Sequence, residues 1–144
     1  TGKFMPRIAM AHNIPYVATA SVSNLHDLEA KVEKAMSFRG ARYLHVFVPC
    51  PLGWGLPADQ TIKIARLAHE CGLFPLFQAE HGVVTASVPI RKQVPVEVYL
   101  KPQRRFAHLF KKGAVDEERI ARLQAIANAN IQEYDLLHEL SDDL

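Results

Sequence analysis

The amino-acid sequence predicts an α/β protein built on a mostly parallel sheet. Short apolar segments rich in β-branched and aromatic residues alternate with segments whose apolar residues recur every three or four positions. Strand, helix, strand, helix, strand in this order implies right-handed βαβ units. The chain also opens on a helical segment with no strand before it, which is typical of the second half of a larger α/β domain.

The first half of the chain predicts a short helix followed by one βαβ unit. Residues 6–12 suit the helix, and Asn13 suits a left-handed cap after it. Residues 16–20 form a short strand, and Asn24 is a suitable N-cap for a helix that ends at Gly40. The apolar positions of this helix, which predict one buried face, are Leu25, Leu28, Val32, Ala35 and Met36.

The middle of the chain predicts a strand, a loop and a second helix. Residues 42–48 are almost wholly apolar, which favours a strand buried on both faces of a parallel sheet. Residues 49–57 contain three prolines and two glycines, so we expect a loop. A helix then runs from about Asp59 to Gly72. The positions expected on its inward side are Ile62, Ala65, Leu67, Ala68 and Cys71.

Two further strands are expected at residues 73–79 and 83–88. Because an amphipathic helix of crossover length separates each strand from the next, we expect the strands that begin near Tyr16, Tyr43 and Leu73 to be parallel. The domain division that follows is residues 1–89 for the α/β part and 90–144 for the rest.

Residues 90–144 predict a basic arm followed by a long helix. The arm has room for one short helix near residues 96–100, and the long helix runs from Asp116 to about Leu140. We expect this part to bury its apolar surface on another subunit, since the arm is too irregular to cover a core by itself. The apolar stripe of the long helix comprises Ile120, Leu123, Ala127, Ile131, Tyr134 and Leu137.

Composition limits the function classes. The chain has 144 residues, of which 49% are hydrophobic and 22% charged, so it can bury a real core. No apolar run approaches the roughly 18 residues of a membrane span. A net charge of +2 does not by itself indicate binding to nucleic acid or membrane, and we expect neither. Two cysteines do not make a disulfide framework, which favours a reducing, cytoplasmic setting.

Cys50 is the most informative residue, because it lies between a predicted strand and a predicted helix, where open α/β sheets place their ligands. It can be a thiolate nucleophile, a metal or cluster ligand, or a buried structural cysteine. A phosphatase-type loop would need Arg where Leu56 stands, and a dithiol pair would need Cys where Gly53 stands. These residues alone leave the three interpretations open.

Weaker patterns each have an ordinary structural explanation. The glycine pattern of residues 53–58 matches a dinucleotide fingerprint, but Trp54 and Pro57 crowd the turn. His45 suits a hydrogen-bonded core histidine, and Glu80-His81-Gly82 suits either a polar site or a tight turn. Some basic side chains of the arm alternate with aromatic ones, as in nucleic-acid patches, although solvated faces are commoner. They are Lys101, Arg104, Arg105, His108, Lys111 and Lys112.

Three separated segments resemble the β subunit of pyruvate:ferredoxin oxidoreductase. They are Ile-Pro-Tyr-Val-Ala-Thr-Ala-Ser at 14–21, His-Val-Phe-Val-Pro-Cys-Pro-Leu-Gly-Trp at 45–54, and Pro-Val-Glu-Val-Tyr-Leu-Lys at 95–101 followed by Arg-Phe-Ala-His-Leu at 105–109. The segments occur in the family's order, and the similarity extends from Thr1 to about Phe110.

The resemblance implies the second half of a thiamine-diphosphate-binding fold. It also implies an enzyme that oxidatively decarboxylates pyruvate or a related 2-oxo acid, joins the acyl group to coenzyme A, and passes electrons through 4Fe–4S clusters to ferredoxin or a related carrier. Cys50 takes the role of the last of four ligands to the cluster nearest the thiamine. The implied partners are the other subunits of the complex.

Two parts of the family pattern are missing from this sequence. The Gly-Asp-Gly motif with its following Asn, which holds the diphosphate and Mg²⁺, is absent, and so are three cluster cysteines. We therefore expect the chain to be the C-terminal part of a β subunit and catalytically incomplete by itself. The alternative is a non-catalytic assembly module of a larger complex.

Overall fold

The computed structural model describes residues 2–111 and 114–137 and shows an α/β fold. Two short 3₁₀ segments, Ala58–Gln60 and Arg104–Leu109, supplement the helices and strands. The helices are α1 Met5–Ala11, α2 Leu25–Ser37, α3 Pro51–Trp54, α4 Thr61–Glu70, α5 Val96–Leu100 and α6 Glu117–Glu133. The strands are β1 Tyr16–Ser21, β2 Arg42–Phe47, β3 Phe77–Glu80, β4 Val83–Ser87, β5 Phe110–Lys111 and β6 Ala114–Val115.

The four-stranded sheet has the order β2-β1-β3-β4 and is mixed rather than mostly parallel. β1 and β2 are parallel, from Tyr16 opposite Arg42 to Ser21 opposite Phe47. β3 is antiparallel to β1, and β4 is antiparallel to β3. The prediction of a mostly parallel sheet is therefore wrong, and so is the parallel orientation expected for the strand after Leu73. The β1–α2–β2 unit is the part that was predicted correctly.

The orientation of β3 differs because α4 does not act as a crossover helix on the sheet. α4 instead packs on α5, and its buried residues share a hydrophobic cluster with α5 and α6. Ile64 is fully buried there, whereas Ile62, which the sequence placed on the inward side, is exposed. The chain therefore returns to the sheet without completing a second βαβ unit, and β3 pairs with β4 as a hairpin.

β1 is the central strand, and all six of its residues are buried. Its Thr19 hydroxyl donates a hydrogen bond to the Pro75 carbonyl at 2.7 Å and accepts one from the Phe77 amide at 2.9 Å. These bonds connect β1 to the start of β3 and satisfy a buried polar side chain, which would otherwise be costly.

β2 lies at an edge of the sheet and is only partly buried. The expectation of a strand buried on both faces is wrong: β2 pairs only with β1 among the described residues, and all of its residues are exposed or only partly buried. His45 is accordingly half-buried rather than a core residue. Its Nδ1 lies 3.0 Å from the Tyr43 hydroxyl.

The face of α2 that points to the sheet is only partly the one predicted: Ala35 is buried as expected, but Leu25, Val32 and Met36 are not. Asn24 does cap the helix, since its side chain accepts a hydrogen bond from the Asp27 amide at 3.2 Å. However, Lys31 and Ala35 are the buried residues, and the Lys31 ammonium donates to the Thr19 carbonyl at 2.9 Å and to Asp27 at 2.8 Å. The apolar residues left exposed are Leu25, Val32 and Met36, at 65%, 46% and 70%.

α6 packs within this chain and ends earlier than expected. Ile120 and Ala127 lie in the cluster formed with α4 and α5, and Ile131 lies in a second cluster with β1 and β3. The expectation that this stripe is buried on another subunit is therefore wrong for these residues. The helix is followed by a turn at Asp135, where φ is 47°. This turn brings the next residue, Leu136, into the core. The predicted continuation to Leu140 lies partly outside the described residues.

Gly72 tests how tightly α4 and α6 are packed. Its φ is +82°, and a Cβ there would lie 2.6 Å from Ile131 Cγ1 and 2.8 Å from the Ala127 carbonyl oxygen. We expect Gly72→Ala to lower the free energy of unfolding by about 2–4 kcal/mol, since strain and overpacking combine. Urea denaturation measures it. Gly40→Ala is the control, because φ is +94° but the nearest atom is 3.8 Å away, and about 1 kcal/mol is expected. Equal losses would contradict the packing argument.

Candidate functional site

Cys50 lies just beyond the carboxyl end of β2, and its side chain is exposed. It is the N-cap of α3, and its Sγ accepts a hydrogen bond from the Gly53 amide at 3.4 Å. The segment was expected to be a loop without helix, but Pro51–Trp54 form one helical turn. Pro51 at the first position explains this, because its fixed φ suits a helix start and its missing N–H has no partner to lose there.

Backbone hydrogen bonds connect this turn directly to Cys50. The Trp54 amide donates to the Cys50 carbonyl at 3.0 Å, and the Leu56 amide donates to the Pro51 carbonyl at 2.9 Å. Gly55 ends the turn in the left-handed conformation, with φ 66°. A single turn is not stable by itself in water, so contacts from elsewhere in the chain must maintain it.

Aromatic and cationic side chains enclose Trp54. The Phe47 ring lies 5.6 Å from the indole, and Phe47 in turn packs on Phe74 at 4.6 Å between ring centroids. The Arg105 guanidinium carbon lies 3.6 Å from the indole centroid and 4.6 Å from that of Phe106. The turn after Cys50 is thus packed against both the sheet and the basic arm.

Arg105 is itself fixed by two hydrogen bonds. Its Nε donates to Gln103 Oε1 at 2.9 Å, and its Nη2 donates to the Tyr99 hydroxyl at 3.0 Å. Gln103 is buried and donates through Nε2 to the Tyr99 carbonyl at 2.6 Å. Burial raises the pKa of Tyr99, so its hydroxyl stays protonated and neutral.

The basic arm does not form one uniform patch in the part of it that the structure describes. Lys101 pairs with Glu97 at 2.8 Å and lies over the Phe110 ring. The Arg104 side chain instead packs on Gly55: a Cβ added to Gly55 would lie 2.6 Å from the Cβ of Arg104. Lys112, the last basic residue of the predicted patch, lies outside the described residues.

Apolar side chains on both sides of Cys50 are exposed. Val48 is 55% exposed and Leu52 is 95% exposed. Single exposed apolar side chains are common on protein surfaces. What the two residues add here is that they flank an exposed thiol.

Cys71 lies in a different environment from Cys50. It is fully buried in the α4–α6 cluster, and its thiol donates to the Ala68 carbonyl at 3.5 Å. Burial raises the pKa of Cys71 to about 11, so the side chain packs in the core as a neutral thiol. Across residues 2–111 and 114–137, no three His, Cys, Asp or Glu side chains are grouped as a metal site would require. Cys50 can thus supply only one of the four thiolates of a cluster.

A separate cavity of about 470 Å³ lies beside the start of α2. His69 and Arg91 line it, and none of the residues from Cys50 to Gly55 does. Burial lowers the pKa of His69, although the nearby backbone of Pro89 and Phe74 favours the charged form. Neither ring nitrogen of this buried side chain has a well-formed hydrogen bond to a described residue.

The turn at Glu80-His81-Gly82 has the ordinary structural explanation. His81 and Gly82 both have positive φ, 48° and 81°, and they connect β3 to β4. The Glu80 carboxylate pairs with Lys34. In the described part of the chain, no helix has both the length and the apolar character to cross a membrane.

Comparison with known proteins identifies the family. No protein-family model matches the chain. It is 43% identical over 134 residues to the pyruvate synthase subunit PorB of Methanosarcina barkeri, which is 93% of this chain and 45% of that protein. It is 44% identical over 122 residues to PorB of Methanocaldococcus jannaschii, covering 85% of this chain and 39% of that protein.

A second group of relatives carries a different name. The ketoisovalerate oxidoreductase subunit VorB of Pyrococcus abyssi is 44% identical over 107 residues, 73% of this chain and 34% of that protein. The chain is a homologue of these β subunits. It spans less than half the length of these relatives and matches roughly their C-terminal part. The family resemblance predicted from three sequence segments is confirmed.

Sequence reasoning missed two residues of this β-subunit homologue that the fold brings to important places. Arg105 belongs to the basic run and to the resemblance segment at 105–109, but neither predicts that it stacks on Trp54. Lys31 was not among the residues singled out on α2, yet its side chain is buried between that helix and the sheet. The alternation of Arg105 with Phe106 indicates a cation near aromatic rings, but it does not indicate which ring the cation meets.

The two thiols of the β-subunit homologue should differ strongly in reactivity. We expect iodoacetamide at pH 8 to alkylate Cys50 and to leave Cys71 unmodified in the folded chain, with both modified in 6 M guanidinium. Because burial disfavours the thiolate, the Cys71 rate should rise only as the pH approaches about 11. Peptide mass spectrometry reads both sites. Comparable labelling of the two cysteines at pH 8 would contradict the burial of Cys71.

Proposed function

We propose that this chain serves as the C-terminal part of the β subunit of a 2-oxoacid:ferredoxin oxidoreductase acting on pyruvate or a related 2-oxo acid. The homology to PorB and VorB over most of the chain supports this. The structural observation that carries the proposal is the free, exposed Cys50 at the carboxyl end of β2. The products are an acyl-CoA and electrons for ferredoxin or a related carrier, and both free cysteines suit a cytoplasmic setting.

Cys50 contributes one thiolate to a 4Fe–4S cluster in this proposal. An exposed thiol whose sulfur accepts an amide hydrogen bond from Gly53 is suited to the role, because such hydrogen bonds tune the potential of cluster sulfurs. The remaining three ligands come from outside this chain, since Cys71 is buried and engaged in packing. The exposed Val48 and Leu52 are then covered by the protein that brings those ligands.

Thiamine diphosphate and Mg²⁺ belong to the part of the β subunit that this chain does not include. When bound, the cofactor supplies the carbanion chemistry of decarboxylation. The sequence has no Gly-Asp-Gly motif, and no three His, Cys, Asp or Glu side chains are grouped among the described residues, so these residues do not fit the Mg²⁺ end of the cofactor. The parallel β1–α2–β2 unit is the contribution of this chain to a thiamine-diphosphate-binding fold.

A second candidate function is a non-catalytic assembly module. The exposed apolar face of α2, formed by Leu25, Val32 and Met36, favours it, because a surface helix of an isolated domain turns such a face inward. The two functions are compatible if α2 contacts the remainder of the oxidoreductase. The basic arm, within residues 90–144, provides a second subunit contact in this proposal, and the charges of the arm would make assembly sensitive to salt.

Replacement of Cys50 tests the cluster role. In the assembled oxidoreductase, we expect Cys50→Ser to lose the cluster that this residue ligates, because a serine oxygen is a poor substitute for an iron-bound thiolate. Iron content should fall by one 4Fe–4S cluster per β subunit, and the reduced-state electron paramagnetic resonance spectrum should lose one signal. Cys71→Ser is the control and should keep both. Wild-type iron content in Cys50→Ser would rule out the ligand role.

Charge on the α2 face tests the assembly surface. We expect Val32→Asp and Met36→Lys each to weaken binding to the remainder of the complex by about tenfold or more, because each buries an unpaired charge. Ile62→Lys is the matched control on α4, where the residue is 46% exposed, as Val32 is. Sedimentation of the co-expressed subunits measures the bound fraction. If all three variants assemble alike, the α2 face is not an interface.

A further inference from the structure

We propose that Arg105 is the positioning residue of the Cys50 site: it fixes the one-turn helix α3 by stacking on Trp54 and so sets the direction of the Cys50 thiol. The inference rests on the proposed cluster role of Cys50, and it gives Arg105 a role at that site, which neither the resemblance segment at 105–109 nor the basic run of the arm assigned to it. Three steps connect the two residues.

The first step is that neighbouring residues of the basic arm fix the Arg105 side chain. Its Nε and Nη2 donate to Gln103 and Tyr99 at 2.9 and 3.0 Å, and both acceptors belong to buried residues. A guanidinium bonded at two positions in its plane has a defined orientation. Most of the entropic cost of holding this long side chain is therefore met before it touches Trp54.

The second step is the contact with Trp54. The guanidinium carbon lies 3.6 Å from the centroid of the indole and 4.6 Å from that of the Phe106 ring. Stacking on tryptophan is the strongest of the cation–π contacts. Phe47 meets the same indole at 5.6 Å, so Trp54 is packed between the end of β2 and the arm.

The third step runs from Trp54 to Cys50 through the backbone. The Trp54 amide donates to the Cys50 carbonyl at 3.0 Å, and the preceding amide, of Gly53, donates to Cys50 Sγ at 3.4 Å. Both hydrogen bonds come from adjacent amides of the one turn that Trp54 ends, so we expect loss of the Trp54 contacts to weaken both. Because four residues cannot maintain a helix alone, the contacts of Trp54 determine whether Sγ keeps its hydrogen bond and its direction.

The neighbouring Arg104 acts on the other end of the same turn. Its side chain occupies the space beside Gly55. The φ of Gly55 is +66°, and a Cβ added there would lie 2.6 Å from the Cβ of Arg104. Gly55 is therefore needed both for its backbone conformation and for the close approach of the arm. The two consecutive arginines thus hold α3 at its last residue and at its C-cap, and Arg105 is the one that meets a ring.

The test uses the assembled oxidoreductase before cluster reconstitution. Arg105→Gln should raise the rate of Cys50 alkylation by roughly five- to tenfold, with a parallel rise in hydrogen exchange of the peptide covering residues 51–56. Arg105→Lys should show the same rise in the alkylation rate and in hydrogen exchange as Arg105→Gln, since an ammonium cannot stack flat on the indole while donating to two fixed acceptors. Lys101→Gln, which removes a charge from the same arm but not a contact to Trp54, should match wild type.

Tyr99→Phe keeps the test decisive if Arg105→Gln does not fold. This substitution removes only the hydroxyl that accepts a hydrogen bond from Arg105. It should raise the Cys50 alkylation rate and the hydrogen exchange of residues 51–56 by less than Arg105→Gln does. After cluster reconstitution, both variants should shift the midpoint potential or the reduced-state spectrum of the Cys50 cluster. Wild-type alkylation and exchange rates in Tyr99→Phe and in whichever Arg105 variants fold would overturn the proposal.

The outcomes separate this proposal from the cluster role itself. If Cys50→Ser loses iron while the Arg105 variants behave as wild type, Cys50 is a ligand and Arg105 does not position it. If the Arg105 variants speed alkylation while Cys50→Ser keeps its iron, Arg105 holds the turn and the cluster role is wrong.

Discussion

The enclosure of β1 is the constraint on which the rest of the structure depends. β1 is buried on both faces and paired on both edges, with β2 parallel on one side and β3 antiparallel on the other. Because β2 follows β1 residue by residue as far as Ser21 and Phe47, the point at which β2 leaves the sheet is fixed. The amide of Val22 still bonds to the Phe47 carbonyl at 3.3 Å. Cys50 follows three residues later, so the sheet determines its place.

α6 connects the site to this sheet. Its first half packs with α4 and α5 in the cluster that also includes Trp54 and Phe106, and its second half packs with Phe77 on β3. Tyr134, at the end of α6, stacks on Phe77 with 4.3 Å between ring centroids. The arm therefore belongs to the core of this chain rather than to a separate layer. Its contact with Trp54 follows from that packing.

The sequence predicted the local elements well because their signals are local. Asn13 has the left-handed φ of 57° that a residue after a helix requires, Asn24 caps α2, and α5 lies at the expected residues. The hydrophobic period of a strand carries no information on its direction, so the orientation of β3 could not be predicted from it. The family, by contrast, was predictable because three segments of specific residues occur in order.

The apolar stripe of α2 shows a different limit. Periodicity indicates which residues share a helix face, and it does not indicate whether the same chain covers that face. Here Lys31 and Ala35 face the sheet, and Met36 remains exposed.

The candidate site shows the same limit of sequence-based prediction. Cys50 was identified from its place between strand and helix, whereas the contact between Arg105 and Trp54 joins residues about fifty positions apart. Only the tertiary fold brings such pairs together.

The placement of iron relative to Cys50 tests the account most directly. An anomalous difference map at the iron edge, from crystals of the assembled oxidoreductase, locates each iron atom relative to this residue. We predict an iron atom within bonding distance of Cys50 Sγ, with the indole of Trp54 still stacked on Arg105. A map in which every iron atom lies beyond bonding distance of Sγ, with the sulfur still accepting only the Gly53 amide, would contradict it.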